Sequence, residues 1–200
     1  IDIAGERKTI YEEVSGITGT AVAAAHELAQ RGDCTIYRAI VRDGGEIPSS
    51  LRADVAEPLL RVAYEYTVQK AHMSHLRRQI TELNWVRDDQ MKRCTDRMIA
   101  AIPCKQAVYE DMVQCPGFDP RVVWSTNASR KGEARADCVI GQTDILTADG
   151  KLFEIKTVSE ILDEHIVQLL MYGYAYLCRG KSYEMYLFNV LDDTLLRVEI

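Results

Sequence analysis

Five charged side chains fall within GQTDILTADGKLFEIKT, Gly141 to Thr157, and three of them, Asp144, Glu154 and Lys156, stand where a plain hairpin would carry neutral residues. Asp144 follows a strand-like run, and Glu154 and Lys156 sit inside the next strand beside Phe153 and Ile155. Side chains alternate along a strand, so Glu154 and Lys156 share one face while Phe153, Ile155 and Thr157 take the other. An acid and a lysine on one face, opposite a carboxylate of the neighbouring strand, make a site for a divalent cation. Mg2+ takes oxygen ligands and keeps water and substrate phosphate in its remaining positions. Such an ion lowers the pKa of its water, and two ions clamp both oxygens of an in-line phosphoryl displacement. The lysine would orient that water or neutralise developing charge. A cross-strand salt bridge on a half-exposed hairpin would use the same residue types and do no chemistry.

The turn decides whether the acids can meet. A two-residue Asp149-Gly150 loop would set Glu154 against Ile145 and send Asp144 to the opposite side of the sheet. A three-residue loop, Ala148-Asp149-Gly150, pairs Thr147 with Lys151 and sets Asp144 across from Glu154. That loop class ends in a left-handed residue, and Gly150 stands where it is needed. The sequence therefore predicts positive φ at Gly150.

A second polar signal lies in the following helix. Gln168 is the only strongly polar side chain between Ile166 and Leu177, with Tyr172 four residues on and His165 three before, on one helical face. A glutamine buried in an apolar helix needs a partner or costs roughly 1–3 kcal/mol. It is either a satisfied core residue beside a packed tyrosine or part of a polar stripe aimed at the hairpin acids.

The elements that would position these groups read as a helical block followed by a sheet. A helix is expected over residues 15–32, capped at Thr18 or Thr20, carried by AVAAAHELAQR and stopped at Gly32. VRDGGEIPSS is a loop, Leu59 to Leu83 an amphipathic helical stretch led by Pro58, and WVRDDQMKRCTDRMIAAI a helix after a break near Asn84. AVYEDMVQ alternates as a strand. CPGFDP and STNASRKGEAR are irregular, and ADCVIGQTDIL with KLFEIKT forms the hairpin. SEILDEHIVQLLMYGYAYL is a helix capped by Ser159, and YEMYLFNV with LLRVEI closes the chain as a second antiparallel pair. The expected class is α/β: a mixed sheet flanked by helices, with a helical N-terminal block over about 1–104 and the sheet over about 105–200, in a single domain.

Composition narrows the function classes. The 200 residues are 47% hydrophobic, enough for a real core, with no apolar window long enough to span a membrane and no basic-then-apolar opening that argues for secretion. The chain starts at Ile1 and ends in a strand-like segment, which suggests a domain excised from a longer protein. Six widely spaced cysteines include no CxxC pair, so reduced thiols in an intracellular protein are expected rather than a zinc site or disulfide framework. Residues 133–200 hold 12 acids and 6 bases and carry the whole net charge of −6. That balance does not mark a bulk nucleic-acid binder, although it suits a segment that collects cations. The clustered bases Arg77, Arg78, Arg87, Lys92, Arg93 and Arg97 read as solvated helix faces.

GQTD, then EIK after nine residues, then a helix carrying QLLMY, resembles the PD-(D/E)xK nuclease superfamily, in particular its RecB-like branch with a QxxxY helix. The closing hairpin resembles versions found in viral and phage replication proteins. The likeness covers Ala107 to Ile200, and more weakly the helix near His26. It implies a restriction-endonuclease-like fold and a Mg2+- or Mn2+-dependent nuclease acting on DNA, RNA being the weaker candidate, in replication, repair or recombination. Asp144 and Glu154 match the metal-binding acids, the Ile155 carbonyl the backbone ligand, and Lys156 the catalytic lysine. Gln168 and Tyr172 match the pair that contacts substrate backbone and supports the site, with His165 beside them. Glu27 matches the acid of the first core helix. Members opening with GTxxH carry a histidine where GTAVA has Ala23, and His26 lies about 100° away from Glu27 around the helix. Asp137 could replace Asp144, and Glu110 could replace Glu27. The alternative function is a nuclease-like module that no longer cuts and serves a larger helicase or polymerase as a nucleic-acid clamp.

Overall fold

The computed structural model describes residues 3–41, 46–70, 76–103, 106–116 and 137–199. The chain is α/β, with helices α1 (Ile3–Arg31), α2 (Thr35–Ile40), α3 (Ala56–Lys70), α4 (Leu76–Gln79), α5 (Asp88–Ala101) and α6 (Asp163–Leu177). Strands β1 (Ala107–Pro116), β2 (Asp137–Thr147), β3 (Lys151–Lys156), β4 (Glu184–Asn189) and β5 (Thr194–Val198) form one sheet in the order β1-β2-β3-β4-β5. Pairing is antiparallel from β1 to β2 and from β2 to β3. Between β3 and β4 the bonds Glu184 N–H to Gly150 O and Val190 N–H to Lys156 O advance in the same direction, so these strands run parallel and the sheet is mixed.

The chain divides into two compact units. The first comprises residues 1–105, 155–160 and 188–194, and the second residues 106–154, 161–187 and 195–200. In the first, Ala21 to Ala25 are all nearly buried, because these small residues let α3, α5 and α2 close around α1. Leu59, Leu60, Met91, Met98 and Ile102 complete that core. In the second, α6 lies on β1 and β2 and covers a core of Val113, Leu146, Leu152, Leu169, Tyr176 and Leu187.

Several boundaries differ from those expected. Helix α1 is continuous from Ile3, and Thr18 Oγ1 donates to Val14 O within it, so Thr18 is a mid-helix residue and no cap. Helix α5 begins at Asp88 rather than Trp85; Gln90 Oε1 accepts the Arg87 N–H there, while Trp85 Nε1 donates to Thr18 Oγ1. Ser159 does not cap α6: the helix starts four residues later, where the His165 ring nitrogen accepts the Leu162 N–H at 3.0 Å. Helix α2 was not expected. Residues 71–75 of the anticipated stretch ending at Leu83, and the irregular segments over 117–136, lie outside the described residues.

Candidate functional site

In the second unit the hairpin turn is the three-residue one. Gly150 has φ +83°, its N–H bonds Thr147 O, and Thr147 Oγ1 accepts the Lys151 N–H across the loop. The register pairs Ile145 with Phe153 and Leu146 with Leu152. Carried one rung further, it sets Asp144 across from Glu154. Glu154 is almost fully buried and Asp144 half-buried.

A third acid joins the same rung. On β1, Tyr109 pairs with Ile145 and Asp111 with Thr143, so Glu110 stands beside Asp144. Glu110 has φ +55°, a left-handed value that costs a residue with a Cβ about 1–2 kcal/mol. The pleat breaks here. Thr143 Oγ1 lies 3.3 Å from the Tyr176 hydroxyl of α6, and Leu146 belongs to the core that α6 covers, yet residues three apart on a regular strand face opposite ways. Asp137 begins β2 opposite Pro116, about 23 Å along the strand from Asp144, and its side chain lies outside the described residues.

Helix α6 supplies the polar stripe. Gln168 Nε2 donates to the Tyr172 hydroxyl at 2.8 Å. Burial holds the Tyr172 phenol well above its ordinary ionisation range, and the negative charges of Glu154, Asp144 and Glu110 push it further the same way. One turn on, the Tyr176 hydroxyl donates to Asp111 Oδ2 at 2.7 Å. His165 is a helix cap one turn before Gln168.

The remaining predicted residues belong to the first unit. Lys156 and Ile155 follow Glu154 on β3, and the chain beyond them is clamped. Ser15 Oγ donates to Thr157 O and Thr157 Oγ1 to Ser15 O, both at 2.8 Å. Asn189, wholly buried, donates through Nδ2 to Val158 O at 2.9 Å and accepts the Val158 N–H at 3.3 Å. A Cβ on Gly19 would meet the Ile155 carbonyl oxygen at 3.7 Å, so α1 passes close over the end of β3.

Glu27 is committed to helix packing. Its carboxylate accepts bonds from Arg31, from the Thr35 N–H at 2.6 Å and from Thr35 Oγ1 at 2.8 Å, which ties α1 to the first residue of α2. His26 Nε2 bonds Ile102 O at 3.0 Å, and burial lowers its pKa against the pull of that carbonyl. Cys34 and Cys94 are buried free thiols; burial pushes Cys34 up to about 11, and Glu27 and Asp33 add to the effect. The described bases of the helical block are engaged: Arg77 with Glu65, Arg87 and Arg93 with Asp89, Lys92 with Asp96, and Arg97 with the carbonyls of Val190 and Leu191.

Gly141, Asn189 and Glu110 carry structural weight that residue types alone did not assign. A glycine inside a strand signals close approach of another group, and an asparagine within the apolar YLFNV signals a buried polar contact. Among the described residues no group of three or more histidine, cysteine, aspartate or glutamate side chains could hold a metal ion, and no helix is long and apolar enough to cross a membrane. No family model matches the chain, and no curated protein or solved structure matches it significantly.

Proposed function

We propose that the chain is a Mg2+- or Mn2+-dependent nuclease domain of restriction-endonuclease-like architecture, hydrolysing DNA phosphodiesters. The observation that carries the reading is the hairpin register, Ile145 with Phe153 and Leu146 with Leu152, which continued by one rung sets Asp144 across from Glu154, together with the Gln168–Tyr172 bond on α6. Two carboxylates, the Ile155 carbonyl and retained waters suit Mg2+, which is commonly held through one or two carboxylates. One or two bound ions would supply a polarised phosphoryl group and an activated water. Lys156 would position that water and balance charge on the phosphoryl oxygens. Tyr172, buried and fixed by Gln168, would support the acids, and the half-buried Gln168 would be the member of the pair that touches the substrate backbone. Glu27 is already held by Arg31 and Thr35, and the described acids do not gather as a set of three, so Asp144 and Glu154 are the proposed metal carboxylates, with Glu110 beside Asp144 adding negative charge. Other domains of a longer protein would supply strand delivery.

The test is incubation of the purified chain with single- and double-stranded DNA in Mn2+ and in EDTA. Cleavage in Mn2+ alone, abolished by Lys156→Ala and Glu154→Ala without loss of fold, is expected. Wild-type cleavage by either variant removes the mechanism. The commitment of Glu27 elsewhere favours a second reading, a nuclease-like clamp. Metal-independent DNA binding without cleavage would establish that reading instead.

A further inference from the structure

Gly141 pairs with Val113 on β1, and the register shifts immediately beyond, between Val113 and Gln114. Bulges of this kind bend a strand and re-aim what packs on it. A Cβ built on Gly141 would lie 2.7 Å from the Tyr172 hydroxyl oxygen, 3.0 Å from Cε1 and 3.2 Å from Cζ. The Tyr172 ring thus occupies the space that any other residue at position 141 would fill.

The ring has little room to retreat. Tyr172 is 5% exposed and packed in the core with Val113, Leu146, Leu152 and Leu169, and its oxygen is held by Gln168 at 2.8 Å. Moving the hydroxyl by the several tenths of an ångström that a methyl group needs would stretch that bond and press the ring into close-packed neighbours. No positive φ requires glycine at 141, since the positive-φ glycines are Gly32, Gly150 and Gly180. The three atoms nearest to that Cβ all belong to Tyr172.

We propose that Gly141 is a positioning residue, kept without a side chain so that Tyr172 can seat against β2 three residues before Asp144. The functional half of this inference rests on the nuclease reading; the seating half does not. The test is a double-mutant cycle in the full chain, with Gly141→Ala made alone and with Tyr172→Leu. Gly141→Ala alone should lower Tm by about 4 °C or more. In the Tyr172→Leu background it should change Tm by less than about 1 °C, because the leucine vacates the space. If Gly141→Ala does not fold alone, folding of the double variant supports the seating, and failure of both overturns it. Additive losses also overturn it. At a temperature where every variant is folded, Gly141→Ala should lower kcat for Mn2+-dependent cleavage to the level of Tyr172→Leu, with little further loss in the double variant. Wild-type kcat in Gly141→Ala overturns the positioning role. A wild-type chain that never cuts refutes the nuclease reading and that role together, and leaves the Tm cycle to decide the seating.

Discussion

Asn189 holds the segment that follows Lys156 by imitating a strand partner, and its replacement makes a quantitative claim. Both amide groups bond one residue, Val158, at 2.9 and 3.3 Å, from a position with no solvent exposure. Asn189→Leu keeps the branched shape with somewhat larger methyl ends and removes both bonds. Each is worth about 1 kcal/mol, and the orphaned groups of Val158 add a desolvation cost that its partial exposure limits. The expected loss is about 2–4 kcal/mol, or roughly 5–14 °C in Tm for a chain of this size. Asn189→Asp sharpens the test. The new carboxylate still accepts the Val158 N–H, yet its second oxygen faces the Val158 carbonyl, so the folded state favours the protonated acid. The folded pKa of that acid is raised above its unfolded value of about 3.9. Such a group stabilises below the unfolded pKa and loses that stability as pH rises through the folded pKa. Urea melts of wild type and variant at pH 4 and pH 7 give the difference at each pH, which cancels every other titration. The variant should fall further behind wild type at pH 7 than at pH 4. Equal gaps at the two pH values, or an Asn189→Leu cost under about 0.5 kcal/mol, would refute the clamp.

Three further outcomes are expected. Glu27→Gln sets an amide N–H against the donors of Arg31 or Thr35 and should cost about 2 kcal/mol by urea melt, while the rise in Tm that Mn2+ binding to the proposed site would give the wild type should be retained; an unchanged fold with a lost Mn2+ response would return Glu27 to the metal. His26 has a folded pKa below its unfolded value, so its contribution is complete above about pH 6.5 and declines as pH falls through that value. His26→Gln should therefore show a shallower stability loss between pH 7.5 and 5, and an identical slope would contradict the assignment. Gln168→Leu should leave stability within about 1 kcal/mol of wild type and reduce cleavage about tenfold; a destabilised variant cutting normally per folded molecule would make Gln168 a core residue only.

Much of the hairpin was legible in sequence because strand parity holds next to the turn, although the pleat breaks farther along β2 near Thr143. Once Gly150 takes positive φ, the three-residue turn fixes the register, and the register brings Asp144 to Glu154. Helix α6 was legible from its apolar run, and the shared face of Gln168 and Tyr172 from their spacing of four, whereas the bond between them is seen only in the structure. Its start was not, because Ser159 is a good cap by type, whereas the bond that forms uses the ring of His165. Glu27 matched the acid of the first core helix by resemblance, and a carboxylate there needs a partner. Only tertiary structure reveals that Arg31 and Thr35 fill that need. The Asn189 clamp joins residues 31 apart and has no local signature beyond one polar residue in an apolar strand.

The left-handed backbone at Glu110 has a consequence for laboratory evolution. Glycine relieves the strain of φ +55° at once, and asparagine relieves part of it, so a library selected for folding alone should drift at position 110 toward these residues. A library selected for metal-dependent cleavage should retain the acid despite the strain, as strained residues persist where function holds them. The residue that dominates at position 110 under each selection would separate the demands of the strand from those of the chemistry.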